Sequence, residues 1–89
     1  IHQLDIIYPR EGFKIYIPVN ETGEKGKCIL KATHKNANAI LYWQLDDKFV
    51  GTTQKFHQIS VLPEVGKHVL SITDNEGETA VVKFEVIGK

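Results

Sequence analysis

Apolar and polar residues alternate with a period of two along most of this chain. Within residues 27–34, Cys28, Leu30 and Ala32 fall on one face, while Lys31 and Thr33 fall on the other. Within 39–45 the inward set is Leu41, Trp43 and Leu45, and within 66–73 it is Leu70 and Ile72, with His68 at their edge. Residues 78–87 alternate again, with Ala80, Val82, Phe84 and Val86 set against Lys83 and Glu85. Such alternation predicts antiparallel strands with one buried and one wet face. Shorter strands are predicted at 5–8, 13–17 and 55–61. No window carries apolar residues at i, i+3 and i+4, so no substantial helix is predicted.

Turn signals fall between these runs. They are Pro9-Arg10-Glu11-Gly12, the polar stretch from Pro18 to Gly26, Asp46-Asp47-Lys48, Pro63-Glu64-Val65-Gly66 and Asp74-Asn75-Glu76-Gly77. In the last, Gly77 is free to take a positive φ beside residues that form Asx-type bonds. About seven short strands at roughly ten-residue spacing predict an all-β, immunoglobulin-like antiparallel sandwich. Cys28 on the third strand and Trp43 on the fourth stand where immunoglobulin domains place their core Cys and Trp. The sixth strand offers His68, Leu70 and Ile72 instead of a second Cys, so packing must replace the bridge. The expected core is Cys28, Leu30, Leu41, Trp43, Leu45, Leu70, Ile72, Val82 and Phe84.

The 89 residues suffice for one domain spanning 1–89 and are too few for two. The sequence contains no Met and begins Ile1-His2-Gln3, which predicts a domain cut from a larger protein. Eleven basic and eleven acidic residues cancel and are interspersed. That argues against nucleic acid, whose binders gather Lys and Arg on one face. No apolar run approaches the ~20 residues of a membrane span, so direct membrane insertion is not expected. Cys28 is the only cysteine, which rules out an internal disulfide and any CxxC metal or redox site.

Candidate chemistry is sparse. The chain has no G-x-S-x-G elbow, no S-x-x-K, no K-T-G and no glycine-rich phosphate loop. The acids Asp46, Asp47, Asp74, Glu76 and Glu78 lie in or beside turns, where backbone conformation accounts for them. His2, His34, His57 and His68 lack the spacing of ligands on one strand face. No catalytic residue, metal or cofactor is therefore expected, and His68 is expected to be a partly buried, hydrogen-bonded ring. Asn20-Glu21-Thr22 matches the glycosylation sequon, a motif frequent by chance. Tyr16 and Tyr42 have outward parity and are the candidate ligand or partner contacts, as a sugar-stacking pair or as ordinary strand residues.

The segment Leu41-Tyr42-Trp43-Gln44-Leu45-Asp46-Asp47 is followed by Val50-Gly51-Thr52-Thr53, then by the run from Gly66 to Asp74, Glu76-Gly77 and Val82 to Val86. This resembles the C-terminal domain of penicillin-binding proteins of the 1C type, bifunctional class A enzymes. There a W-x-L-[DN]-G hairpin, a following G, a G-x-H-x-L-x-[LIV]-x-D stretch and a D-x-x-G turn recur. The first half agrees more loosely, through its isoleucine-rich start, Pro9, Gly12 and the strand to Ile17. Asp47 departs from the pattern, standing where the hairpin usually has Gly.

The resemblance implies a parent that polymerises glycan strands and cross-links peptides outside the cytoplasmic membrane, to which it is anchored. The family's catalytic Glu and Ser belong to upstream domains. This domain would be a non-catalytic accessory that contacts those domains, peptidoglycan or another envelope protein. The alternative is an immunoglobulin-like adhesion or carbohydrate-binding module of another bacterial surface protein.

Overall fold

A computed structural model describes residues 2–18, 23 and 26–88. These form eight strands: β1 Leu4–Tyr8, β2 Lys14–Tyr16, β3 Cys28–His34, β4 Ile40–Leu45, β5 Lys48–Gln54, β6 Gln58–Val61, β7 Gly66–Asp74 and β8 Thr79–Ile87. A three-stranded sheet in the order β1-β3-β6 faces a five-stranded sheet in the order β2-β8-β7-β4-β5. The chain changes sheets between β1 and β2, through the turn at Pro9–Gly12. There the Gly12 amide donates to the Lys83 carbonyl at 2.7 Å and the Glu85 amide to the Phe13 carbonyl at 2.8 Å. These bonds deliver β2 alongside β8 in parallel, whereas the remaining pairings are antiparallel.

Alternation places one residue in two between the sheets. The three-stranded sheet contributes Leu4, Ile6, Cys28, Leu30 and Ala32, and the five-stranded sheet Ile15, Leu41, Trp43, Leu70, Ile72, Phe84 and Val86, all buried. Leu45 and Val82 are only partly buried and pack against the margin of this core. Trp43 is fully enclosed, and its indole nitrogen donates to Thr53 Oγ1 at 2.8 Å. The Thr53 hydroxyl hydrogen is then available to His57 Nδ1, 2.7 Å away. The His57 carbonyl accepts from the Ala32 amide at 3.1 Å, so the chain of bonds from Trp43 ends on the opposite sheet. Among the described residues, no buried side-chain nitrogen or oxygen lacks a hydrogen-bond partner.

The structure has one strand more than periodicity predicts, namely β5. Its sequence, Lys48 to Gln54, does not alternate, and it lies at the free edge of its sheet, largely exposed on both sides. A bulge between Trp43 and Gln44 shifts its register, so that Gly51 faces Trp43 and Phe49 faces Gln44. Gly51 has φ 157°, and a Cβ there would stand 3.2 Å from Ile59 Cδ1, which explains a glycine opposite the buried tryptophan. The segment expected as a strand over 55–61 begins only at Gln58, because Lys55 turns the chain with φ 69°. The sequon at Asn20 and most of the loop from Pro18 to Gly26 lie outside the described residues.

The β4–β5 loop has two residues, Asp46 and Asp47, with φ 54° and 68°. Both values are positive, the requirement of a type I′ hairpin turn. An L-residue there is strained by about 1–2 kcal/mol, less for Asp than for most. Asp47→Gly is accordingly expected to raise stability by about 1 kcal/mol after the larger entropy of the unfolded glycine is counted. Denaturant midpoints test this, and a lower midpoint would contradict the turn assignment. Trp43→Ala is expected to cost ~3–5 kcal/mol in the same assay. A loss under one would mean that Trp43 is not enclosed.

Candidate functional site

Each end of β7 is fixed by a histidine and a carboxylate. At its C-terminal end, Asp74 Oδ1 accepts the amides of Glu76 and Glu78 at 2.9 Å each, folding the turn to β8 in which Gly77 takes φ 93°. Its Oδ2 lies 2.9 Å from His34 Nε2, and both side chains are almost wholly enclosed. His34 Nδ1 accepts from the Asn36 amide at 2.9 Å, so the ring hydrogen sits on Nε2 and is donated to Asp74. The His34 bond, with the two turn amides behind it, holds the Asp74 carboxyl below the usual carboxylate range.

Near the N-terminal end of β7, His68 Nδ1 lies 2.5 Å from Asp46 Oδ2, and Nε2 lies 2.6 Å from the Glu64 carbonyl oxygen. Two acceptors demand a hydrogen on each nitrogen, so the ring is an imidazolium. Burial opposes the charge, but the Glu64 carbonyl and the Asp46 carboxylate outweigh it and raise the pKa of His68. The ring stacks on Phe84 with centroids 5.5 Å apart. Asp46 also accepts the Val69 amide at 2.8 Å. Burial alone would raise its pKa, and the His68 and Val69 bonds reverse the sign. The third histidine behaves oppositely, since burial pushes His57 below its ordinary pKa.

These bonds engage His34, His57 and His68 in the frame, each with a different partner. Among the described residues, no three His, Cys, Asp or Glu side chains converge to hold a metal ion. An open groove of about 650 Å³ runs, among the described residues, beside His2, Leu4, His34 and Ala80. Trp43, Asp46, His68, Asp74 and Gly77, which carry the resemblance drawn from the sequence, are all used by the core, the hairpins and the two clasps.

What remains open is the outer face of the five-stranded sheet. Strand pairing sets its side chains in two rows, Thr79–Thr73–Tyr42–Thr52 and Val81–Ser71–Gln44–Phe49. Tyr42 is 41% exposed and Phe49 62%. Tyr16 shares the face but not the neighbourhood. It pairs with Ile87, whereas Tyr42 lies level with Thr79, eight residues away along β8, or roughly 26 Å. The two tyrosines proposed from parity therefore do not form a joint platform. The aromatic neighbour of Tyr42 is Phe49, diagonal to it across β4 and β5, and it escapes a reading of the sequence that omits β5.

Order and pairing of the strands define a sandwich of the fibronectin type III class. In agreement, the solved structure of fibronectin(III)-like modules of Clostridium thermocellum CbhA is similar, with a TM-score of 0.67. The likeness covers 96% of each chain at 16% identity, and at that identity it speaks for the fold alone. The model of the Penicillin-Binding Protein C-terminus Family matches residues 1–84, and the chain belongs to that family. No curated protein sequence matches it. Family membership makes this a domain of a multi-domain penicillin-binding protein, in a peptidoglycan context.

The clasps predict a stability maximum near pH 6.5. The His68 pKa is raised, so its contribution is complete below the unfolded value of ~6.5 and is lost as pH rises through the folded value. The His57 pKa is lowered, so its contribution is present above ~6.5 and is lost as pH falls. Asp46 and Asp74, both lowered, add a further loss below about pH 4. Thermal unfolding between pH 3 and 9 should show both limbs, and His68→Gln should flatten the alkaline one. A wild-type profile that is level above pH 6.5 would contradict the imidazolium.

Proposed function

We propose that this chain is a single, non-catalytic accessory domain of a bifunctional peptidoglycan synthase. It acts on the outer side of the cytoplasmic membrane and holds its membrane-anchored parent against the cell wall. The observation that carries this reading is the division of labour within the domain. The chemically capable side chains His34, His57, His68, Asp46 and Asp74 are engaged in fixing the sandwich, and the outer face of the five-stranded sheet is left to a partner. A rigid frame with one presented face suits binding, because little conformational freedom is lost on contact. The upstream catalytic domains supply the chemistry, and this domain supplies position.

Co-sedimentation with purified peptidoglycan sacculi tests the reading. The 89-residue chain should pellet with sacculi in a saturable manner. Because the two rows around Tyr42 and Phe49 carry no charge, binding should weaken by less than about twofold between 50 and 300 mM salt. A chain that stays in the supernatant at all salt concentrations would end the wall-binding reading and leave the parent's catalytic domains as its partner.

A further inference from the structure

We propose that the outer face of the five-stranded sheet, centred on Tyr42 and Phe49, is a binding site for an uncharged glycan chain. The proposal rests on the wall-binding reading above and specifies which surface and which part of the wall are involved. Tyr42 and Phe49 are both substantially exposed, and they stand diagonally across one strand pair, about 7–8 Å apart. Their outward direction is fixed because Leu41 and Trp43, on either side of Tyr42, are fully buried. Tyr42 is thus presented by a strand paired on both sides, with Phe49 beside it on the neighbouring strand, and little ordering of Tyr42 is required on contact.

The company these rings keep decides the class of ligand. None of the eight side chains in the two rows is charged. Gln44, Ser71, Thr73 and Thr52 surround the rings with amide and hydroxyl groups, which donate and accept hydrogen bonds equally well. The charged side chains of the face, Lys14, Lys67, Lys83 and Glu85, lie on β2 and further along β7 and β8, beyond Val69 and Val81. A charged polymer would find no counter-charge at the centre. An apolar protein surface would find Val81 and Phe49 separated by Ser71 and Gln44. A pyranose fits both properties, since its C–H face stacks on an aromatic ring while its equatorial hydroxyls and acetamido groups seek neutral hydrogen-bond partners. Three strand spacings give the rows a width of roughly 14 Å, enough for several linked sugars.

The test is an NMR titration of the 89-residue chain with chitotetraose, an uncharged β-1,4-linked tetramer of N-acetylglucosamine. Saturable shifts are expected at the amides of Tyr42, Gln44, Phe49, Ser71 and Thr73. Tyr42→Thr and Phe49→Thr keep a strand-forming residue at exposed positions, so the fold should survive. Each should weaken binding by roughly five- to tenfold, while Tyr16→Thr, on the distant part of the face, should not. Absent shifts, shifts elsewhere, or shifts unaffected by both variants would overturn the proposal. Sacculus co-sedimentation separates the two levels. Retained pelleting by both variants would leave the wall-binding reading standing and remove this site, and loss of pelleting by wild type would remove both. Cross-links from this face to the parent's catalytic domains, without chitotetraose shifts, would replace the glycan with a protein partner.

Discussion

The structure depends on burying one tryptophan without leaving its nitrogen unpaired. A sandwich of this size has little core to spare, and its single cysteine provides no bridge between the sheets. Trp43 fills the centre, but an enclosed indole N–H without a partner costs on the order of 1–3 kcal/mol. Thr53 accepts that hydrogen and His57 accepts from Thr53, while the backbone of His57 bonds to β3 on the other sheet. Position 53 lies on β5, so the edge strand, which contributes little to the core, supplies the group that lets the core close. Gly51, opposite Trp43 in the pairing, leaves room for Ile59, whose Cδ1 would stand 3.2 Å from a Cβ there.

The two histidine–carboxylate clasps extend this logic to the ends of the sandwich. Asp74 accepts two amides of the β7–β8 turn and holds His34 of β3. Asp46, in the β4–β5 turn, accepts the Val69 amide of β7 and holds the adjacent His68. Asp74 therefore fixes a turn and a tertiary contact with one side chain, and Asp46 anchors the β4–β5 turn to β7. His34, His57, His68, Asp46 and Asp74 are used within the frame, which accounts for family-pattern residues that hold structure. Structure and proposed role are linked at this point: polar residues at the margins of the core fix the frame, and the part of the outer face around Tyr42 and Phe49 carries no charge in its two rows.

Most of the fold is legible in the alternation of residues because a strand with one buried face must alternate. β3, β4, β7 and β8 are of this kind, and their inward residues Leu30, Leu41, Trp43, Leu70, Ile72 and Phe84 are buried. β5 escapes because an edge strand exposed on both sides has no reason to alternate, and Phe49 escapes with it. The parallel pairing of β2 with β8 leaves no mark in a three-residue strand. Parity correctly turns Tyr16 and Tyr42 outward, but it carries no information about distance along the sheet. That distance is set by register, and register emerges only from the assembled pairing. The clasps were half legible: the positions of Asp46, His68 and Asp74 follow from turns and strand ends, but which histidine meets which carboxylate depends on how the sheets stack.

The central claim is that hydrogen-bonded histidines in defined protonation states close the core and fix the hairpins. Imidazole ¹⁵N chemical shifts of the folded domain near pH 6.5 test it most directly. The account predicts both nitrogens of His68 in the imidazolium range and His57 with an unprotonated Nδ1 that accepts from Thr53. A neutral His68, or a hydrogen on Nδ1 of neutral His57, would contradict it.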